Sequence, residues 1–140
     1  MTPKQIALVQ ASWKQVQPIA DQAAALFYSR LFTLEPSLKR LFKGDMREQG
    51  RKLTQMISVA VNSLARLEAI APAVRALGRR HAGYGVEPRH YALVEGALIW
   101  TLEQGLGRDF SEQAEDAWRT AYRVLATTMQ QTTREESHAS

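Results

Sequence analysis

The sequence has 140 residues, of which 45% are hydrophobic and 23% are charged, and these proportions are typical of one globular domain. It has no cysteine, which excludes disulfides, thiolate metal sites and a cysteine nucleophile. The net charge is +4, but basic residues are scattered among acidic ones, no block of five or six like charges occurs, and no long apolar run occurs. We therefore expect neither a nucleic-acid partner nor a membrane span. The N-terminus lacks the pattern of a secretory signal, so we expect a cytoplasmic protein.

Hydrophobic periodicity predicts helices throughout the chain, and no strand-like alternation or hairpin turn occurs. A capping box over residues 2–5, with Pro3 at the first helical position, begins the first helix. We expect the second helix to begin at Pro18 and to end before Pro36, because the residue before a proline disfavours helical geometry. A short turn over residues 37–42 follows.

Four further helices are predicted in the rest of the chain. Asp45 and Glu48 cap the first of them, and Ser111 caps the last. We expect these four helices to run from Asp45 to about Leu67, from Glu68 to His81, from Arg89 to Leu106, and from Ser111 onward. The C-terminal residues are polar and do not continue the apolar stripe of the last helix. We therefore expect one domain over residues 1–130 and a polar tail over residues 131–140.

Three polar side chains interrupt the apolar stripes of these helices. His81 continues at helical spacing a stripe formed by Leu67, Ile70, Val74 and Leu77. Gln49 begins the inner stripe that continues at Leu53, and Tyr28 lies in the middle of the second helix. Because an unpaired buried polar group costs roughly 1–3 kcal/mol, each of these side chains needs a partner.

Each of the three polar residues has a purely structural interpretation. His81 could be a core histidine bonded to a carbonyl, Gln49 a surface residue near a helix end, and Tyr28 a core tyrosine. Together they predict one polar group of residues inside an apolar helical shell. We find no carboxylate on an inner stripe, no Ser-His-Asp set, no phosphate loop and no multi-histidine motif. One neutral imidazole in an apolar pocket is what a haem iron needs on its proximal side.

Four segments resemble the globins: FYSRLFTLEPSLKRLF, QGRKLTQMI, LGRRHAGYGV and FSEQAEDAWRTAYRVL. The resemblance extends to about residue 130, and it is strongest to bacterial single-domain globins related to neuroglobin and to the globin domain of flavohaemoglobins. It implies an all-α globin fold, in which a three-over-three helical sandwich surrounds haem b (iron protoporphyrin IX).

The same resemblance implies roles for individual residues. His81 is the expected proximal ligand of the iron, and Tyr28, Gln49 and Leu53 are expected to contact the external ligand on the distal side. The residues expected to contact the haem itself are Phe42, Lys52, Leu77, Arg80, Val86, Tyr91 and Val94. For Lys52 and Arg80, a contact with the propionates and a simple solvated charge remain alternatives.

The distal glutamine is a poor iron ligand, so the resemblance implies five-coordinate iron that is open to dioxygen, nitric oxide or another small diatomic molecule. Two hydrogen bonds from Tyr28 and Gln49, at ~1–1.5 kcal/mol each, would slow the release of dioxygen by about 30–150-fold. Reversible dioxygen binding is the expected function. Nitric oxide dioxygenase or peroxidase-like activity with a separate reductase is an alternative, and a cofactor-free helical interaction module is a third.

Flavohaemoglobins place a tyrosine and a glutamate near the proximal histidine, and Tyr91 and Glu135 are the candidates here. A carboxylate that accepts a hydrogen bond from the imidazole makes this ligand more basic and favours O–O chemistry. The other two histidines have no apolar stripe around them. We expect His90 to point outward at a helix start, and His138 lies in the tail.

Overall fold

The computed structural model describes the backbone of residues 1–139 and the side chains of residues 1–131. The six α-helices are α1 (Pro3–Val16), α2 (Ala20–Leu34), α3 (Met46–Asn62), α4 (Leu67–Gly83), α5 (Pro88–Leu106) and α6 (Glu112–Ala139). Short 3-10 helices lie at Gln17–Ile19, Pro36–Leu41, Leu64–Arg66 and Gly107–Asp109. The backbone described contains no β-strand, which confirms the all-α prediction.

The helix starts that were predicted from capping residues are confirmed. At α1, the Gln5 N–H donates to Thr2 Oγ1 (3.1 Å) and the Thr2 N–H donates to Gln5 Oε1 (2.9 Å). At α3, Asp45 accepts a hydrogen bond from the Arg47 N–H at 2.9 Å. At α6, the Ser111 hydroxyl accepts from the Ala114 N–H at 3.1 Å. Capping is a contact between residues two or three apart, so local sequence is enough to identify it.

Some helix boundaries differ from the predictions. Pro18 lies in a 3-10 helix, and α2 begins two residues later. The helix predicted to reach Leu67 ends at Asn62, and a 3-10 helix then turns the chain toward α4. Leu64 in this corner is only 4% exposed, so the apolar stripe continues through the break and periodicity cannot reveal it. The α6 backbone continues into the expected tail, whose side chains lie outside the described residues.

The helices form two layers of three. One layer contains α1, α3 and α4, and the other contains α2, α5 and α6, with α1 and α4 packed on α6 and α2 packed on α3. This is the three-over-three arrangement that the resemblance described above implies, and the structure confirms it. No single helix among those described is long and apolar enough to cross a membrane. α3 and the segment Leu64–Gly83 together have the length and composition of a membrane span, but the angle between them is 61°.

The larger core cluster lies where α1 crosses α5 and α6, and two tryptophans form its centre. The rings of Trp13 and Trp118 are 6.0 Å apart, and each is 3% exposed. Their indole N–H groups are both paired, because Trp118 donates to Ser12 Oγ at 2.8 Å and Trp13 donates to Ser58 Oγ at 2.9 Å. A buried aromatic side chain contributes ~1.5–3 kcal/mol when its polar atom is paired in this way.

Two glycines allow close helix crossings next to the candidate site. A Cβ on Gly50 in α3 would lie 3.0 Å from Ala24 Cβ in α2. A Cβ on Gly78 in α4 would overlap the backbone carbonyl of Met129 in α6. Only glycine permits the second crossing, because backbone atoms cannot move aside as the end of a side chain can. The positions of both α3 and α4 therefore depend on these two residues.

Candidate functional site

His81 lies in the last turns of α4 and is half-buried. Its Nδ1 is 2.8 Å from the carbonyl oxygen of Leu77, one turn earlier. Because a carbonyl can only accept, Nδ1 is the donor, and in the neutral form of the ring the free lone pair is therefore on Nε2. No described residue forms a hydrogen bond with Nε2. The His81 carbonyl accepts from the Val86 N–H at 3.0 Å, which fixes the corner after the helix.

Tyr28 lies at the centre of an aromatic cluster on the other side of the site. It is 9% exposed, and its ring lies 5.2 Å from Phe27, 6.0 Å from Phe32 and 5.3 Å from Phe42. The Tyr28 hydroxyl forms no hydrogen bond with a described residue. Burial raises the pKa of Tyr28 to about 12, so the hydroxyl stays protonated and can donate a hydrogen bond at neutral pH.

The cluster around Tyr28 brings together several of the predicted site residues. Leu53 from α3 and Val94 from α5 pack against it, as Phe42 does. Sequence reasoning did not single out other members of this cluster, which are Phe27, Leu31, Phe32, Leu38, Leu41, Met46, Leu93, Ala97 and Leu98. Helical spacing offered a signal for Phe32, which lies one turn after Tyr28 in α2.

Gln49 lies in the first turn of α3 and is half-buried. Its amide nitrogen points toward the loop before the helix, 3.9 Å from where a Cβ on Gly44 would lie. The amide forms no hydrogen bond with a described residue. Gln49 precedes Gly50, which lies at the crossing of α3 with Ala24 of α2, one turn before Tyr28.

The remaining predicted residues fall into three groups. Lys52 and Arg80 are exposed and form no ion pair with a described residue. Tyr91 is half-buried, burial raises its pKa, and its carbonyl accepts from the Tyr122 hydroxyl at 2.7 Å, but no hydrogen bond joins it to His81. Glu135 lies in α6 beyond the side chains that the structure describes, so its proximal role stays a prediction.

The prediction that His90 points outward is wrong. His90 is 5% exposed, and its Nδ1 accepts a hydrogen bond from the Glu87 N–H at 2.9 Å, which caps α5. Its buried Nε2 has no hydrogen-bond partner among the residues that the structure describes and lies 3.7 Å from the Glu87 carboxylate. The spacing of three residues between Glu87 and His90, with Pro88 between them, is that of a capping box, and this signal could have identified the inward orientation.

These residues fit a haem held by one protein ligand. A neutral imidazole whose Nδ1 donates to a carbonyl presents the Nε2 lone pair that haem iron requires, and aromatic and aliphatic side chains form the wall on the α2 side. Among the described side chains, no group of three or more His, Cys, Asp or Glu could hold a separate metal ion. His81 is therefore the residue that would hold the iron.

Comparisons with known proteins agree with this fit. The family model for globins matches residues 25–129. A globin-like protein of Aquifex aeolicus is 30% identical over 129 residues, which cover 92% of this chain and 91% of that protein. The neuroglobin of Tetraodon nigroviridis is 27% identical over 92% of this chain. The flavohemoprotein of Vibrio cholerae is 26% identical, and the chain spans about a third, 33%, of its length.

A solved structure has the same architecture. It is an engineered carbene transferase made from a proposed nitric oxide dioxygenase of Rhodothermus marinus, with a TM-score of 0.86 and 26% identity. The alignment covers 99% of this chain and 98% of that one. Globins hold haem and bind small gaseous molecules. From the family match, the shared fold and the imidazole site together, we conclude that this chain belongs to the globin family.

Proposed function

We propose that this globin binds dioxygen reversibly on haem b, with His81 as the axial protein ligand and the opposite coordination position open to an external ligand. The hydrogen bond between His81 Nδ1 and the Leu77 carbonyl carries the proposal, because it orients the ring and leaves Nε2 as the ligand atom. When bound, the haem supplies an iron with an exchangeable coordination position.

The distal side chains act as hydrogen-bond donors to that external ligand. The Tyr28 hydroxyl is protonated, belongs to a buried side chain and has no hydrogen-bond partner among the described residues, so it is available to a ligand that carries partial negative charge. The Gln49 amide is a second donor, and a neutral amide is a weak iron ligand, so we propose five-coordinate iron. The aromatic rings around Tyr28 exclude water and strengthen both hydrogen bonds.

Absorption spectra of the purified protein test the proposal. We expect a Soret band, a five-coordinate ferrous form and a stable oxygenated form. The variant His81→Gly should lose these spectra, and added imidazole should restore them, because free imidazole can occupy the space of the lost side chain. A colourless protein that takes up no added haem would instead support a cofactor-free interaction module, and a six-coordinate ferrous form would contradict an open site.

Nitric oxide dioxygenation is a second candidate for the same site. It is supported by the names of the relatives, which include flavohemoproteins and a proposed nitric oxide dioxygenase. In this reaction one nitric oxide, one dioxygen and one electron give one nitrate, and a reductase must supply the electron. If the protein and a reductase consumed many molecules of nitric oxide per haem, the result would support this reaction. Consumption of only one nitric oxide per haem would support reversible binding alone.

Peroxidase-like activity depends on a proximal carboxylate, and Glu135 is the proposed residue. A carboxylate that accepts a hydrogen bond from His81 would make the imidazole more basic. This arrangement would have to displace the Leu77 carbonyl, which is 2.8 Å from the same Nδ1. A peroxidase rate that is unchanged in Glu135→Gln would contradict this role.

The cytoplasmic location expected from the sequence also stays a prediction.

A further inference from the structure

The charges of the chain are distributed unequally between two parts of the fold. Residues 36–86, which include α3 and α4, contain ten Lys and Arg but only three Asp and Glu, a net charge of +7. The whole chain carries +4, so the remaining residues carry −3. In the globin fold, α3 and α4 are the helices on either side of the haem. The positive charge is therefore concentrated on the walls of the proposed site.

Most of these ten cations are exposed to solvent. Nine are exposed and Arg75 is half-buried. They are Lys39, Arg40, Lys43, Arg47, Arg51, Lys52, Arg66, Arg75, Arg79 and Arg80. Apart from Arg79, which has an interaction partner, none of them forms an ion pair within the part of the chain that the structure describes.

Several charges in the rest of the molecule form ion pairs. Glu95 on α5 accepts from Arg123 at 2.9 Å and from Arg119 at 3.3 Å, and Arg89 pairs with Glu35 at 2.9 Å. Unpaired like charges on one face repel each other and disfavour folding, unless an anionic partner compensates them. The two propionates of a haem would neutralise only two of them, so most of the positive charge would remain available.

Three of the cations are next to site residues in the chain. Lys43 follows Phe42, Lys52 precedes Leu53 and Arg80 precedes His81. Each of these neighbours is half-buried, while the cation beside it is exposed. Lys43, Lys52 and Arg80 therefore border residues of the proposed haem pocket, which is the surface that an electron donor must approach.

We propose that this cationic face, defined as Lys39, Lys43, Arg47, Arg51, Lys52 and Arg80, docks an acidic protein that donates single electrons to the haem iron. The proposal rests on the proposed function, because dioxygen binds only to ferrous iron. In each encounter the donor is oxidised by one electron and ferric iron is reduced to ferrous, with no atom transferred. Complementary charge steers such a donor toward the pocket edge and raises the association rate at low salt.

Charge reversal in the ferric holoprotein tests this docking. The variant Lys43→Glu/Arg47→Glu/Arg51→Glu changes exposed cations that have no assigned haem contact. The matched control Lys4→Glu/Lys14→Glu/Arg108→Glu makes the same change in net charge at exposed residues outside residues 36–86. The probe is photoreduced flavodoxin, an acidic one-electron donor, and the rate of iron reduction is followed by stopped-flow absorbance.

We expect the first variant to be reduced about tenfold more slowly than the parent at an ionic strength of about 20 mM, and at a similar rate at about 500 mM. The control should remain within about twofold of the parent. Equal slowing of both variants would overturn the proposal, because net charge alone would then explain the effect. A rate that does not depend on salt would overturn it as well.

Two further measurements separate this proposal from the proposed function. Neutral photoreduced lumiflavin should reduce the parent and both variants at equal rates, which would show that the haem site is intact. The affinity of oxidised flavodoxin, measured by calorimetry, needs no redox change and should fall about tenfold in the first variant only. If duplex DNA binds this face while flavodoxin does not, the partner class is wrong even though dioxygen binding stands.

Discussion

At the scale of single residues, the hydroxyl of Tyr28 is the group with the clearest measurable role. Tyr28→Phe keeps the ring contacts with Phe27 and Phe42 and removes only the donor. One hydrogen bond contributes ~1–1.5 kcal/mol, so we expect dioxygen release to become about tenfold faster. Stopped-flow displacement of dioxygen by carbon monoxide measures this rate. Tyr84→Phe is the control, because Tyr84 is 66% exposed, and equal release rates in both variants would contradict the role of Tyr28.

The sequence singled out polar side chains that interrupt apolar stripes, and the roles of these residues in binding stay predictions. Tyr28 and His81 were identified in this way, and the structure places Tyr28 in a buried cluster and gives His81 a carbonyl partner. His90 was misjudged because its partner is a backbone N–H three residues earlier, and no apolar stripe marks that contact. Stripe analysis detects contacts between helices, whereas a capping side chain is buried by its own turn.

At the scale of helices, Gly78 determines how closely α4 lies against α6. Gly78→Ala would place a Cβ on the Met129 carbonyl, and α4 would have to move away. We expect the free energy of unfolding to fall by about 1–3 kcal/mol. Haem should also transfer faster to apomyoglobin, because His81 lies three residues later on the same helix. Urea denaturation and the transfer rate measure these two effects.

Gly96→Ala is the matched control for that variant. Gly96 lies in α5 and is exposed, and a Cβ there would have no neighbour within 4 Å. Alanine has a higher helix propensity than glycine by up to ~1 kcal/mol, so we expect this variant to be as stable as the parent or more stable. If both alanine variants had the same stability and the same rate of haem loss, close packing at Gly78 would not position α4.

At the scale of the whole molecule, periodicity and capping predicted an all-α domain, but the layer order came only from the family resemblance. Periodicity shows which face of each helix is buried and not which helix covers it. The charge asymmetry could have been found in the sequence, because ten of the eighteen Lys and Arg lie within residues 36–86. It was missed because no block of like charges occurs, and only the fold shows that six of these ten residues lie on α3 and α4, the helices that would flank the proposed site.

Alkaline pH should destabilise the whole fold. Burial raises the pKa of Tyr28 to about 12, and it raises the pKa values of Tyr122 and Tyr91 as well, from a usual value of 10.0. Above about pH 10 the unfolded chain releases phenolic protons that the folded chain keeps, so the free energy of unfolding falls as pH rises. The stabilising contribution is complete below about pH 10 and, for Tyr28, is lost as pH rises toward 12.

Urea denaturation of the purified protein at about pH 8, 10 and 11 measures this loss, which reaches at most ~1.4 kcal/mol per pH unit for each buried tyrosine. Tyr28→Phe and Tyr122→Phe should each make the pH dependence shallower, because phenylalanine has no proton to release. Tyr122→Phe should also lower the stability at every pH by ~1 kcal/mol, since it removes the 2.7 Å hydrogen bond to the Tyr91 carbonyl. The exposed Tyr84→Phe should keep the parent's slope. A parent protein whose stability is constant from pH 9 to 11 would show that these hydroxyls are not buried in solution.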